Sequence, residues 1–479
     1  MTLRSRLRVP RTRRAFAACL MALAAGGLIL HRAPASARTN VIAASPSSHG
    51  NGETFAGRGA HGSIALSQTH VPAGQSTRVS VVLRLAADPK VDADQKRAPL
   101  ALAVVLDTSG SMQGEKLDQA KNAVLELIRE LADDDEITLI RYASDSEVVL
   151  PLSRVGSVRA SLRERVGDLV ASGGTNIPPA LSRGLSSLGT ALGSRVKRVV
   201  LVSDGLDQGR IEAERIARDG IEDRITVSSL GIGLDFDASY MGGLAEAGRG
   251  NFAFVENAAS LGKFLRRELE QTATTTIEST EATLILPEGV RFVRAIGAEG
   301  RPSLDGQEVS LRLGALFAGD ERRIVVELMA NAEAGQSLAI QGNVVWSNLG
   351  GARTRVSLTQ LSIVGTSDMR EASLSIDGEA HAEATSALAS SRQLEAAQAM
   401  ERGDLGQAAI IINENVTALR AAQAVAPSPA ATALAAQSEA YEKARDDLAK
   451  APPKSPGAKA AARKMADKEI SNMGRDVAF

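Results

Sequence analysis

Between Leu100 and Gln271 the sequence alternates short apolar runs with segments of helical periodicity, and this alternation constrains the fold more than any other feature. The apolar runs read LALAVVL, EITLIRYA, VKRVVLVS, ITVSSLGIG and NFAFVE. A run as continuously apolar as LALAVVL is typical of a central parallel strand that is covered on both faces. The segments between them, such as KLDQAKNAVLELIRELA, repeat apolar residues at helical spacing. We therefore predict a doubly wound α/β domain over residues 99–271.

Polar side chains gather on three separated loops of this predicted domain. Asp107, Ser109 and Ser111 lie in VVLDTSGSM, Thr175 lies in SGGTNI, and Asp204 lies in VLVSDG. Taken singly, each fragment is also typical of an ordinary turn or helix cap. Their order and their strand context favour a shared site, because ligands of open α/β sheets bind outside the carboxyl ends of the strands. Hydroxyl and carboxylate oxygens suit a hard divalent cation, so these five residues are the predicted metal ligands.

The same three motifs resemble the metal ion-dependent adhesion site of the von Willebrand factor A (VWA) family, and the resemblance extends over roughly Pro99 to Gln271. It implies that Ser109, Ser111 and Thr175 contact Mg²⁺ or Mn²⁺, with Ca²⁺ less favoured. It also implies that Asp107 and Asp204 act largely through water. The implied partner is a protein that presents an Asp or Glu carboxylate to an open position on the ion.

The layout is also similar to exported bacterial members of that family labelled calcium-activated chloride channel homologues. The channel label does not carry over, because no segment after the first 37 residues approaches the ~20 apolar residues that a spanning helix needs. We therefore predict no transmembrane segment in the mature chain.

The first 37 residues predict an export signal. Six arginines lie within the first 14 residues, an apolar run follows from Ala15 to Leu30, and Ala35-Ser36-Ala37 is a small-residue cleavage site. An uncleaved anchor is the alternative. The arginine pair at 13 and 14 also resembles a twin-arginine signal, which leaves the export route open. The expected location is periplasmic, cell-surface or secreted.

Composition excludes several other classes of function. The only cysteine, Cys19, lies within the predicted signal, so the mature chain has no disulfide and no thiol. All charged residues of the first 37 are arginines, so the mature chain is acidic. An acidic chain with 3% aromatic residues has neither the charge nor the stacking surfaces that nucleic-acid binding requires.

Two segments on either side of the α/β domain predict one β-sandwich. After a predicted flexible linker over 38–62, residues 63–98 contain two strands, and residues 272–366 contain six more at a spacing typical of a sandwich. The first pair is too small to be stable alone. We predict that it completes the sandwich, which makes the α/β domain an insertion; a separate N-terminal β-domain is the alternative.

The remainder of the chain, residues 367–479, is alanine-rich and predicts a helical hairpin followed by a basic tail. Gly403 suits a left-handed helix stop, and Asp404 suits the next N-cap. A stabilising extension packed on the sandwich is favoured over a hairpin that docks a partner.

The sequence therefore favours an exported, non-enzymatic, metal-dependent protein-binding module. The main alternative is an assembly or regulatory subunit of a cell-envelope complex with a structural metal. A hydrolase is a distant alternative, because the histidines after the signal, at 49, 61, 70 and 381, all lie outside the α/β domain. Ser260 and Lys263 fit a serine–lysine pattern, but its downstream companion motifs are absent.

Overall fold

The computed structural model describes residues 40–43, 52–89, 99–191, 195–204, 207–232, 238–255, 274–348, 352–450 and 469. The predicted signal over 1–37 and, apart from Glu469, the predicted basic tail lie outside these residues. Within the described part of the chain, no helix combines the length and the apolar character that a membrane span requires.

The described residues form three sheets and nine α-helices, which we number in chain order. The strands are β1 Asn40–Ala43, β2 Gly52–Gly57, β3 Ala60–Leu66, β4 His70–Pro72, β5 Thr77–Ala87, β6 Leu100–Asp107, β7 Glu136–Tyr142, β8 Ser146–Arg154, β9 Val196–Ser203, β10 Ile225–Ile232, β11 Arg249–Val255, β12 Thr275–Ile285, β13 Val290–Ile296, β14 Glu299–Pro302, β15 Glu308–Arg312, β16 Leu316–Phe317, β17 Glu321–Ala330, β18 Ser337–Asn348 and β19 Arg353–Thr366. The helices are α1 Glu115–Glu130, α2 Val155–Gly167, α3 Ile177–Leu188, α4 Arg210–Glu222, α5 Ala238–Ala247, α6 Met369–Leu374, α7 Gly378–Arg402, α8 Leu405–Gln423 and α9 Ser428–Lys450.

The α/β domain is built on a six-stranded sheet in the order β11-β10-β9-β6-β7-β8. Five of these strands are parallel, and β8 pairs antiparallel with β7 at one edge. Helices cover both faces: α1 and α2 pack on one, and α3, α4 and α5 pack on the other. The predicted fold class is confirmed. The antiparallel strand β8 was not foreseen, because SEVVLPLSR is only partly apolar.

Strand β6 shows why the domain forms. All eight of its residues are buried, and its side chains alternate between the two apolar clusters on the two faces of the sheet. Ala101, Ala103 and Val105 join the cluster under α3, and Leu102 and Val104 join the cluster under α1. Full burial of each Val or Leu side chain contributes roughly 1.5–3 kcal/mol, so a central strand of this composition is strongly stabilised.

The second body is a sandwich of two sheets that draws strands from both sides of the α/β domain. One sheet has the order β13-β17-β5-β3-β2, in which β5 pairs antiparallel with β17 over ten register positions. The other sheet contains β12, β15, β18 and β19. Because the α/β domain lies in the chain between β5 and β12, it is inserted between two strands of the sandwich.

The flexible linker predicted over 38–62 is wrong, because this segment contains β1, β2 and the start of β3. Two of its described glycines reflect close packing rather than freedom. A Cβ at Gly57 would lie 2.6 Å from the indole ring of Trp346, and a Cβ at Gly62 would lie 2.6 Å from the ring of Phe55. Phe55 and Trp346 are both buried. The glycines therefore make room for aromatic side chains in the sandwich core.

The C-terminal region is a helical extension, as predicted, but it has more helices than a hairpin. Helix α7 ends at Gly403, whose φ of 84° is left-handed, and the side chain of Asp404 caps α8 by accepting from Gln407 N. A further helix, α9, follows α8. Helix α7 packs Ala380, Ala384 and other small residues on the sandwich sheet. Its later residues share an apolar cluster with helices of the α/β domain, so α7 connects both bodies.

Candidate metal centre

The register of the parallel sheet places one row of polar side chains at its carboxyl edge. Asp107 lies opposite Tyr142 on β7. On the other side, Leu106 pairs with Val202, so the next step along both strands brings Asp107 beside Ser203. Asp107 and Ser203 are both completely buried. The first predicted ligand is therefore fixed by the two central strands of the sheet.

Both carboxylate oxygens of Asp107 accept hydrogen bonds. Oδ1 accepts from the backbone N of Ser109 at 2.8 Å, and Oδ2 accepts from the hydroxyl of Ser203 at 2.6 Å. Burial raises the pKa of Asp107 above its ordinary value, while the hydrogen bonds from Ser109 and Ser203 oppose the shift and the nearby Asp204 adds to it. A cation beside this carboxylate would favour its ionised form.

Ser109 and Ser111 lie on the turn that follows β6. Gly110–Met112 forms one turn of 3₁₀ helix, and this tight geometry brings the two side chains together. Their hydroxyl oxygens are 3.0 Å apart. Ser109 is buried and Ser111 is exposed. The two hydroxyl oxygens therefore lie side by side, one in the interior and one at the surface, and both are neutral groups that can coordinate a cation.

Thr175 reaches the same edge on the loop before α3. This loop is tied to the first one by two backbone hydrogen bonds: Gly110 N donates to Gly173 O at 2.9 Å, and Ser172 N donates to Thr108 O at 2.8 Å. Gly173 has a φ of 77°, a conformation that favours glycine. Thr175 is half-buried two residues further along.

Asp204 lies one residue past the end of β9, and alternation along the strand turns it to the opposite face from Ser203. On that face its Oδ2 accepts from the Lys116 ammonium of α1 at 3.1 Å. The carboxylate is completely buried. Its Oδ1 is also buried, and among the described residues it has no hydrogen-bond partner.

The donor set fits a hard divalent cation. It consists of three hydroxyls and two carboxylates, all oxygen donors of the kind that Mg²⁺ prefers. Among the described residues, no group of three or more His, Cys, Asp or Glu side chains is arranged to hold a metal ion, so a cation here would need the hydroxyls as well. A buried carboxylate oxygen without a donor costs free energy unless a cation or a water satisfies it. Asp204 Oδ1 is such an atom.

Three functional positions were missed from the sequence. Ser203 holds Asp107, and Lys116 holds Asp204. Asp207 joins two loops of this edge, because its carboxylate accepts from the backbone N of both Ile177 and Gly209. The sequence shows Ser203 directly before Asp204 at the end of an apolar strand, but such a residue is also typical of a turn. Lys116 and Asp207 depend on how helices and loops close over the sheet, which the sequence pattern does not show.

Comparison with protein families gives a match in the α/β domain. The family described as the von Willebrand factor type A domain matches residues 101–267. The protein is 27% identical over 277 residues to the uncharacterized protein sll0103 of Synechocystis, covering 56% of this chain and 65% of that one. It is 29% identical over 210 residues to the uncharacterized protein YfbK of Escherichia coli, covering 42% of this chain and 36% of that one. The chain thus spans less than two thirds of the length of either relative.

A solved structure shows that the likeness in fold extends beyond the α/β domain. The von Willebrand factor type A protein from Catenulispora acidiphila superposes with a TM-score of 0.64, covering 84% of this chain and 95% of that chain. The sequence identity is 20%, so this likeness concerns the fold alone. A coverage this wide extends well beyond residues 101–267, which the family model matches.

Proposed function

We propose that the protein uses residues 101–267, which match the von Willebrand factor type A domain, as a metal-dependent protein-binding module. Domains of this family commonly mediate interactions between proteins. The finer proposal is that Asp107, Ser109, Ser111, Thr175 and Asp204 hold Mg²⁺ or Mn²⁺, and that an Asp or Glu of a partner protein completes the site.

The observation that carries this proposal is the unpartnered Oδ1 of Asp204. It is buried at the edge of the sheet where the other predicted ligands lie, and no described residue donates a hydrogen bond to it. An unsatisfied buried acceptor costs about 1–3 kcal/mol, and a cation at this edge would remove that cost. The oxygen therefore supports the proposal of a cation site here.

Each residue has a distinct part in this proposal. Ser109 and Ser111 supply neutral oxygens that leave the charge of the ion incompletely balanced, whereas Asp107 and Asp204 supply negative charge from buried positions. The loop around Gly173 keeps Thr175 at the same edge through its bonds to the Ser109 loop. A bound Mg²⁺ supplies an open coordination position that a carboxylate can fill.

We also propose that the protein acts outside the cytoplasm and is not an enzyme. The support for export is the arginine-rich, apolar and small-residue order of the first 37 residues. The support against a hydrolase is that the α/β domain contains no histidine to act as the base of a Ser-His-Asp triad.

The first test is calorimetric titration of the full chain with MgCl₂ and MnCl₂, followed by affinity capture from a cell-envelope extract with and without EDTA. We expect Thr175→Ala to abolish chelator-sensitive capture. Thr190→Ala is the matched control, because the Thr190 hydroxyl bonds to Ser187 O beyond the far end of α3.

Partner capture that is indifferent both to EDTA and to Thr175→Ala would contradict the adhesion-type mechanism. With metal binding intact, that result would favour the alternative of an assembly subunit whose metal is structural. Hydrolysis of esters or peptides that depends on Ser109 or Ser111 would instead contradict the non-enzymatic assignment.

A further inference from the structure

Lys116 is the one cation that the described residues place in direct contact with a predicted metal ligand. Its ammonium lies 3.1 Å from Asp204 Oδ2. The Asp204 side chain is 0% exposed, and the Lys116 side chain is 25% exposed. The lysine therefore reaches from the protein surface to a carboxylate that solvent does not reach.

The position of Lys116 on its helix runs against the usual distribution of charge. It is the second residue of α1, where Glu115 and Asp118 provide the acidic first turn that a helix N-terminus favours. A cation in the first turn is disfavoured by the helix dipole and by the free N–H groups there. The ion pair with buried Asp204 offsets this effect.

We propose that Lys116 is an internal counter-cation of the metal centre, which occupies Asp204 in the metal-free protein and competes with the divalent ion for it. This inference rests on the proposed function, because it assigns a regulatory role to a residue of the same site. Lys116 holds only Oδ2, and Oδ1 stays without a described partner. The carboxylate is thus half-satisfied by the lysine and remains open to an ion.

Two consequences follow from this competition. Without metal, Lys116 reduces the cost of burying the Asp204 charge, so the metal-free domain stays folded. With a cation at Oδ1, the positive charge of Lys116 at Oδ2 repels the ion across the shared carboxylate. Lys116 therefore lowers the affinity for the free ion, which makes the site more dependent on an additional carboxylate from a partner.

The test is calorimetric titration of the full chain with MnCl₂ alone, comparing wild type with Lys116→Met. We expect the neutral variant to bind Mn²⁺ about tenfold more tightly, since one hydrogen bond to a charged group is of this size. We also expect thermal unfolding in EDTA to occur at a lower temperature in the variant, and saturating Mn²⁺ to restore most of the difference.

Three further variants make the result specific. Lys116→Arg keeps the positive charge and should bind Mn²⁺ as weakly as wild type. Lys116→Gln removes the charge but keeps a polar side chain, and it replaces the methionine variant if that variant folds poorly. Lys121→Met is the matched control on the same helix, because the Lys121 ammonium bonds to Gly167 O rather than to the site. Its Mn²⁺ affinity should equal that of wild type.

The outcomes separate this inference from the proposed function. If wild type binds Mn²⁺ and Lys116→Met and Lys116→Gln bind it equally well or more weakly, Lys116 is not a competitor and the inference fails alone. If wild type does not bind but the neutral variants do, the competition is supported and the metal dependence of the natural protein fails. If no variant binds Mn²⁺, both are wrong.

Discussion

The carboxyl ends of the parallel strands form one edge of the central sheet, and their amino ends form the opposite edge. Charged residues at these two edges differ in burial and in pairing. At the carboxyl edge, Asp204 is completely buried and one of its oxygens has no partner among the described residues. At the amino edge, charges pair across to the sandwich: Glu222 contacts Arg301 at 2.9 Å and also Arg312, and Arg224 contacts Glu278 at 2.6 Å. The carboxyl edge has a buried acceptor that a bound cation would satisfy, whereas the charged residues of the amino edge form ion pairs with the sandwich.

The pKa shifts show the same contrast. Burial raises the pKa of Asp107, because the loss of water outweighs the hydrogen bonds from Ser109 and Ser203. The hydrogen bond from Arg312 lowers the pKa of Glu222, which is partly exposed and also contacts Arg301. An uncompensated buried charge is costly, while an exposed ion pair contributes little. The difference shows that the Asp107 charge is less well compensated than that of Glu222, which supports the proposal of a cation site at the carboxyl edge.

The largest effect is expected when the buried carboxylate of Asp107 is removed. Asp107→Ala should weaken Mn²⁺ binding by about 100-fold, the upper end of the range for groups that support a metal through water or a hydrogen bond. Calorimetric titration measures the change, and circular dichroism checks that the fold persists.

Asp223→Ala is the matched control for that experiment, since Asp223 is exposed at the amino edge after α4. It should leave Mn²⁺ affinity unchanged. If both variants lose binding equally, the two edges are not functionally distinct.

A smaller effect is expected from the residue that positions Asp107. Ser203→Ala removes the 2.6 Å hydrogen bond to Asp107 Oδ2 and should weaken Mn²⁺ binding by about tenfold. Ser203→Thr keeps the hydroxyl and should restore most of the affinity. Titration of the three proteins under the same conditions makes the comparison, and failure of the threonine variant to exceed alanine would rule out a role for this hydrogen bond.

The sequence predicted the carboxyl edge well, because it depends on local signals. Apolar strands that end in Asp, Ser or Gly identify both the sheet and the residues at its edge, and the structure places Asp107, Ser109 and Asp204 there. The predicted fold class depends on the same local signals, and the structure confirms it. The metal itself stays a prediction.

The ion pairs at the amino edge were not predicted, because they join residues that lie far apart in the chain. Nothing near Glu222 indicates that Arg301 and Arg312 will meet it. The linker over 38–62 was wrong for a related reason: its glycines were interpreted by composition, but Gly57 and Gly62 leave space for Trp346 and Phe55. Long-range packing decides the meaning of such residues.

At the amino edge we expect a modest effect on stability and none on metal binding. Arg312→Met removes one partner of Glu222 and should lower the free energy of unfolding by under about 1 kcal/mol, because the pair is partly exposed. Urea unfolding of Arg312→Met, Glu222→Gln and the double variant gives the coupling energy. Mn²⁺ affinity should equal that of wild type in all three, and a loss of binding would show that the edges are linked.

The smallest effect is the dependence of this contact on pH, and its sign follows from the lowered pKa of Glu222. The ordinary value for a glutamate is 4.5, and the folded protein holds the proton less tightly than the unfolded chain. The contribution of the pair is therefore fully present above pH 4.5 and is lost as pH falls through the lowered folded pKa. In EDTA, the stability difference between wild type and Glu222→Gln should stay constant from neutral pH down to this value and shrink below it. A difference that instead grows on acidification would mean that Glu222 is destabilising in the folded protein, and the amino edge would then resemble the carboxyl edge, where burial raises the pKa of Asp107.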